Sequence, residues 1–257
     1  MAGLGKEGSA RFFDALAAKM VAWFLVIHRR VRSTTMSVWA VIPLKSPESA
    51  KSRLSVALTA PQRLRLFYIL ARRVIETAVN TSGIAGVTVV TASDAVVSFA
   101  TGLGADCLRV ESDRGTAQAC SAALNSLPFD HRERVLFLAG DIALISPSAL
   151  VPLVNLATPN PHIAIAADRR RFGTNALLCA PGDAIPLCFG DNSFSQHIAA
   201  AEGLGIAAHI MQSDALALDI DEPNDLDEWR RRLVASGSPM DAELAELFAV
   251  GAEAVSQ

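Results

Sequence analysis

A chain of 257 residues with 51% hydrophobic content has room for one large α/β domain, or at most two small ones, around a well-buried core. Its formal charge of −3 argues against a general nucleic-acid binder, which carries a basic excess. Its four cysteines, Cys107, Cys120, Cys179 and Cys188, show no C-x-x-C spacing, and a reducing, cytoplasmic setting is the simplest reading.

The apolar run at residues 20–27 is too short to span a bilayer, and Asp14, Lys19, His28, Arg29 and Arg30 bracket it. No small-x-small cleavage pattern follows at Ser33-Thr34-Thr35, so a signal peptide is not indicated. An amphipathic helix lying on a membrane surface is one reading. The preferred expectation is that residues 1–35 are an extension, flexible or from an over-long start, and that the folded domain occupies 36–235. Residues 236–257 are then a C-terminal tail with a short helix at 241–250.

Residues 38–44 read as the first buried strand, and Lys45, Lys51 and Arg53 follow it directly. Open α/β sheets bind ligands beyond the carboxyl ends of their strands. Three cations there suit an anion with several charges, such as a nucleoside triphosphate. A solvated basic turn is the plainer alternative. Thr59-Ala60-Pro61 is a helix start, with Thr as cap and Pro in the first turn. Leu64, Phe67, Leu70, Val74 and Ala78 then share one helical face. Further strands are expected at 86–91, 134–139, 162–167, 176–180, 206–211 and 215–220, and further helices at 94–102, 116–127, 146–156 and 193–202. Strands separated by helices imply parallel pairing with helices on both faces. The short gap between the last two strand-like runs suggests a local antiparallel addition. A last helix of the main body opens at Pro223.

Four segments carry chemistry. Residues 134–139 form an apolar strand that ends in Gly140-Asp141, placing a carboxylate at the ligand edge of the sheet. In an extended segment Asp219 and Asp221 point to the same face, and paired carboxylates of this kind suit Mg²⁺. Against this, Asp141 reads equally as a turn cap, and Asp221 as the cap of the helix at Pro223, with Asp225, Asp227 and Glu228 as first-turn acids. Gly173-Thr174-Asn175 opens a strand with exposed backbone N–H groups. Gly190 and Ser193 stand at the mouth of a helix, where phosphate binds through N–H groups and dipole. His197 reads as a packing residue of that helix.

Together these segments resemble the 2-phospho-L-lactate guanylyltransferase family of coenzyme F420 biosynthesis. The resemblance rests on Pro43-x-Lys45, Ala50-Lys51-Ser52-Arg53-Leu54, Gly140-Asp141, Gly173-Thr174-Asn175-Ala176, Phe189-Gly190 with Ser193-Phe194 and His197, and Asp219-Ile220-Asp221-x-Pro223-x-Asp225-Leu226. It implies a single-domain nucleotidyltransferase of glycosyltransferase-A-like, Rossmann-like α/β fold, with a mixed, mostly parallel sheet. It further implies that GMP is joined from GTP to a three-carbon phospho-acid, with pyrophosphate released and the product handed to the next transferase. By the same resemblance Lys45, Lys51 and Arg53 neutralise the triphosphate, and Asp141, Asp219 and Asp221 hold Mg²⁺. Asn175, Gly190 and Ser193 grip the acid's phosphate through their backbone. Thr91, Ser93 and the turn from Gly115 to Gln118 lie near guanine and ribose.

Two departures stand out. The family usually has Asp-Leu-Pro where this chain has Asp141-Ile142-Ala143, and losing the proline is expected to loosen that loop. The usual Gly-Leu-Asn of the nucleotide loop is here Gly115-Thr116-Ala117-Gln118. Molybdenum-cofactor and sugar-phosphate nucleotidyltransferases of the same fold open with a glycine-rich loop, and residues 42–54 contain no glycine. A non-catalytic nucleotide-binding module is the remaining alternative, and the intact acidic triplet weighs against it.

Overall fold

The computed structural model describes residues 37–49, 51–236 and 245. The expectations for residues 1–35 and for Ala50 fall outside the described residues, as does the helix expected at 241–250 apart from Ala245. Seven strands form: β1 (Val38–Pro43), β2 (Ile84–Thr91), β3 (Asp106–Arg109), β4 (Val135–Leu138), β5 (His162–Ala167), β6 (Thr174–Ala180) and β7 (Ala207–Ile210). They make one sheet in the order β3-β2-β1-β4-β6-β5-β7. Only β6 runs against its neighbours, pairing antiparallel with β4 and β5, while every other pair is parallel.

Strand alternation sorts the core into two faces. Ala40, Ile42, Leu136, Leu138, Ala176 and Leu178 pack on one side, with Phe67, Ala71, Val74, Ile75 and Ala78 of helix α1 (Ala60–Val79). Helices α2 (Asp94–Gly102) and α4 (Pro147–Val154) complete that layer through Val96, Leu150 and Leu153. Val41, Val135, Phe137, Ile165 and Leu177 face the other way, onto α3 (Thr116–Ser126) and α5 (Ser193–Gly203). Leu66, Ile69 and Leu70 of α1 join a third cluster with Leu218, Ile220 and Trp229. Trp229 belongs to α7 (Pro223–Ser236). The helix α1 therefore buries two faces, and Leu64, expected on its apolar stripe, is exposed. Its start is as expected, with the Thr59 N–H donating to Gln62 Oε1 at 2.8 Å.

Two elements differ from the sequence reading. Residues 215–220 do not form a strand. A short helix α6 (Asp214–Ala217) precedes an extended stretch that makes one isolated bridge, and the antiparallel member of the sheet is β6. The apolar side chains of that stretch are satisfied by packing, Leu216 against the sheet and Leu218 and Ile220 in the third cluster, without a ladder. Strand β3 was not anticipated, because a four-residue, half-exposed segment has no apolar run to announce it. Among the described residues no helix is long and apolar enough to cross a membrane.

Candidate active site

β1 lies between β2, which follows it in the chain, and β4, so the connections leaving β1 and β4 diverge at their carboxyl ends. That divergence opens a crevice at the end of the sheet where ligands bind in such folds. Leu44 and Gly140 meet there closely. A Cβ at position 140 would lie 2.2 Å from Leu44 Cδ2, so glycine permits the approach of the two segments that carry Lys45 and Asp141.

Lys51 enters the crevice from a left-handed backbone position, φ 59°. Its side chain is only 6% exposed, and its ammonium donates to Asp141 Oδ2 and, at 3.1 Å, to Asp221 Oδ1. Burial alone would lower the pKa of this lysine. The charges of Asp141 and Asp221 outweigh that effect and raise it, so the ammonium stays charged.

The acidic segment is aligned by backbone pairing. Ile142 and Asp219 form the isolated antiparallel bridge, the Ala143 N–H donates to Leu218 O at 2.8 Å, and the Ile220 N–H donates to Asp141 O at 3.3 Å. Leu218 and Ile220 point into the third cluster, so Asp219 and Asp221 emerge on the opposite side, into the crevice. The Ala143 bond bears on the missing proline of this loop. A proline there has no N–H to donate, so alanine adds a tie to the neighbouring segment.

Asn175 Nδ2 donates to Leu216 O at 2.9 Å and to Asp219 Oδ1 at 3.2 Å. Asp219 is pushed well above the ordinary carboxylate range by burial and then by the charges of Asp141 and Asp221, against the Asn175 bond that favours its ionised form. Asp221 is not the cap of α7. Asp225 Oδ2 accepts the backbone N–H of Asp221 at 3.1 Å and of Glu222 at 2.8 Å, and Arg169 Nη2 holds its other oxygen at 2.7 Å. That leaves the Asp221 carboxylate for Lys51.

Lys45, Lys51, Arg53, Asp141, Asn175, Gly190, Ser193, Asp219 and Asp221 line one cavity of about 540 Å³. An adjoining cavity of about 440 Å³ is lined by Thr91, Gly115 and Gln118 and shares Lys45 and Thr116 with the first. Ser93 lines neither and stands at the start of α2, its N–H donating to Thr91 Oγ1 at 3.1 Å. Among the described residues no group of three or more His, Cys, Asp or Glu side chains is arranged to hold a metal ion. The donor chemistry nevertheless suits a hard cation. Three carboxylates line one cavity, one of them resists ionising beside the others, and a buried ammonium is their present counter-ion.

At the mouth of α5, Gly190 (φ 138°) and Asn192 (φ 57°) adopt positive-φ conformations that turn the chain into the helix. The Ser193 N–H already donates to Gly190 O and the Phe194 N–H to Phe172 O, both at 3.2 Å. What Ser193 itself offers the cavity is therefore its hydroxyl and the positive end of the helix. His197 is wholly buried, and its Nε2 accepts the Cys188 N–H at 2.9 Å. In the neutral ring Nδ1 then carries the proton and donates to Thr174 Oγ1 at 3.1 Å. This histidine locks α5 to β6. Asp168, Arg169, Phe172 and Asp225, which the sequence reading did not place in the site, line a further cavity of about 360 Å³ that shares Arg53, Asp219 and Asp221 with the first.

The family profile described as "Guanylyl transferase CofC like" matches residues 38–233. The chain belongs to this family. Among its relatives, a phosphoenolpyruvate guanylyltransferase of Rubrobacter xylanophilus is 36% identical over 79% of this chain and 96% of the relative. A 3-phospho-D-glycerate guanylyltransferase of Colwellia psychrerythraea is 34% identical over 80% of this chain and 96% of the relative. The fold of this guanylyl transferase-like chain is shared with a nucleotidyl transferase from Methanothermobacter thermautotroptrophicus, with TM-score 0.56, 16% identity and coverage of 78% of this chain and 99% of the other. It is shared also with a 4-diphosphocytidyl-2C-methyl-D-erythritol synthase from Anaerococcus prevotii, with TM-score 0.53, 12% identity and coverage of 79% and 100%.

Proposed function

We propose that this protein transfers GMP from GTP to a three-carbon phospho-acid and releases pyrophosphate, in the cytoplasm, as a step of coenzyme F420 biosynthesis. The observation that carries the reading is the buried Lys51 ammonium shared by Asp141 and Asp221, in a cavity that joins a second one through Lys45. A charged binding site of this kind fits a triphosphate, and the adjoining space fits its nucleoside. Phosphoenolpyruvate, 3-phospho-D-glycerate and 2-phospho-L-lactate are the candidate acids, and relatives of this chain carry the first two in their names.

In this reading the nucleotide enters with its base among Thr91, Gly115 and Gln118 and its phosphates beside Lys45, Lys51 and Arg53. A phosphate oxygen of the acid attacks the α-phosphorus, the bond from that phosphorus to the bridging oxygen breaks, and the electron pair leaves with pyrophosphate. Both phosphates are ionised near neutral pH, so no proton has to be removed from the nucleophile. The side chains act by alignment and by neutralising charge. Gly190, Ser193 and the amino end of α5 orient the acid's phosphate, and Asn175 holds Asp219 in place. Asp141, Asp219 and Asp221 would hold Mg²⁺, which when bound supplies positive charge to the phosphate oxygens. The product is a labile diphosphate diester suited to direct hand-over to the next transferase.

The test is pyrophosphate release with GTP and Mg²⁺ and each acid separately, coupled to the next transferase. One acid is expected to support turnover well above the others. No release with any of the three would overturn the proposal.

A further inference from the structure

The second cavity contains an unclaimed carboxylate. Four charged side chains come to it from the stretch between β3 and α3 and from the end of β3 itself, and three of them are engaged. Arg109 Nε donates to Asp94 Oδ1 at 2.7 Å, Arg114 Nε donates to Ser112 Oγ at 3.2 Å, and Asp113 Oδ1 accepts the Gly115 N–H at 3.1 Å. Glu111 lines the same cavity and has no hydrogen bond or ion pair among the described residues. The side chain of Gln118, in the first turn of α3, is likewise without a partner among them, and its Oε1 would lie 3.1 Å from a Cβ on Gly115. Leu44, Val90 and Ala119 give the cavity apolar surface of the kind that packs on a base.

We infer that Glu111 selects guanine by accepting the N1–H and the 2-amino N–H of the base, with the Gln118 amide donating to O6. The inference rests on the proposed use of GTP and names how that nucleotide is chosen. An ionised carboxylate only accepts hydrogen bonds, through two oxygens whose spacing suits two adjacent donors. Guanine presents two such donors beside an acceptor. Adenine presents a bare N1 at the corresponding place, so the same carboxylate repels it, and selectivity arises from the mismatch as well as the match. Asp113 is less suited, because the Gly115 N–H already occupies its Oδ1.

The test is equilibrium binding of GTP, ITP and ATP to the full chain without any acid, for the wild type, Glu111→Gln, Glu111→Ala and Gln118→Ala. ITP lacks the 2-amino group and keeps N1–H and O6. The wild type is expected to favour GTP over ITP by roughly tenfold or more, the size of a charge-assisted hydrogen bond. In Glu111→Ala that ratio should fall to about one and in Glu111→Gln, whose amide keeps one acceptor oxygen, it should fall below the wild-type value, whereas Gln118→Ala should weaken GTP and ITP together and leave the ratio unchanged. A GTP to ITP ratio that survives the loss of Glu111, or a wild type that binds the two equally, overturns the inference. Tight, selective GTP binding without pyrophosphate release with any acid would count against the proposed reaction and in favour of this role for Glu111. Glu111 is exposed and bonded to nothing in the described fold, so both of its variants should unfold at the wild-type temperature.

Discussion

Ala143 donates its backbone N–H to the carbonyl of Leu218 at 2.8 Å, beside the bridge between Ile142 and Asp219. Through this short pairing the segment leaving β4 and the segment leading to α7 become neighbours, and three carboxylates from distant parts of the chain line one crevice. Their mutual repulsion is opposed by one lysine, one asparagine amide and the packing of Leu218 and Ile220 beneath them. Strain of this electrostatic kind has consequences that can be measured apart from turnover.

Asp219→Asn should separate stability from activity. The folded protein holds the Asp219 proton more tightly than an unfolded chain does, because burial and the charges of Asp141 and Asp221 disfavour its ionised form. As pH rises above about 4, the unfolded chain gives up this proton first, so the group's contribution makes the fold less stable with rising pH. Asparagine removes that penalty and can still accept the Asn175 bond. Thermal unfolding of the variant is expected at or above the wild-type temperature near neutral pH, with the difference shrinking toward about pH 4. Pyrophosphate release should fall by roughly 100-fold or more. Wild-type turnover in this variant would remove Asp219 from the chemistry.

Much of this arrangement was legible in the sequence. Asp141 sits at the end of an uninterrupted apolar strand, and the alternation of Asp219, Ile220 and Asp221 announces a common face for the two acids. Lys45 and Lys51 follow the first strand, so topology alone puts them at the same edge. The residues that escaped notice depend on tertiary partners. Asp225 reads as an ordinary first-turn acid until the backbone of Asp221 and Glu222 folds back onto it. Glu111 lies in a polar loop after an edge strand too short to signal itself. Residues 215–220 mimic a strand because their apolar side chains alternate, but those side chains are satisfied by packing and only one bridge forms.

Lys51→Ala should uncover the charge that this lysine balances. Its ammonium is buried while Asp141 and Asp221 are partly exposed, so losing it is expected to cost about 1–3 kcal/mol, less than for a wholly buried pair. Activity should drop roughly 100-fold or more from the loss of a cation beside the triphosphate. Millimolar Mg²⁺ should raise the unfolding temperature of Lys51→Ala more than that of the wild type, because the freed carboxylates no longer have a competing counter-ion. Equal shifts in both proteins would show that Lys51 and the divalent ion do not share these carboxylates.

Gly140→Ala tests the close approach at the mouth of the crevice. A methyl group there would overlap Leu44 Cδ2, the residue just before Lys45, and the nearest backbone atom, Pro43 O, is 3.6 Å away. Leu44 can yield by rotating, so the fold should survive with a loss of about 1–3 kcal/mol. The displaced segment carries Lys45, and the altered residue adjoins Asp141. A misplacement of this order is expected to lower kcat by roughly 100-fold at most while leaving some activity. Steady-state kinetics paired with chemical denaturation would reveal it, and an unchanged kcat would mean that Leu44 moves without disturbing its neighbours.

Acid should unfasten α5 from β6 through His197. Burial lowers the pKa of this histidine from the ordinary value of 6.5 to about 4, and the Cys188 N–H occupies Nε2, where a second proton would have to go. The folded state thus keeps the ring neutral while an unfolded chain protonates it below about 6.5. The stability that depends on the neutral ring is fully present above that pH and is lost as pH falls toward the folded value. Between about pH 7 and about pH 5 the expected loss is about 2 kcal/mol, an order-of-magnitude figure from the shift in protonation. His162 is also buried with a lowered pKa and adds in the same direction. His197→Gln should be less stable than the wild type near neutral pH, having given up bonds to Thr174 or Cys188, yet show a flatter decline in acid. Urea unfolding at several pH values measures both effects. Parallel acid limbs in the two proteins would mean that the protonation of His197 does not govern this part of the stability profile.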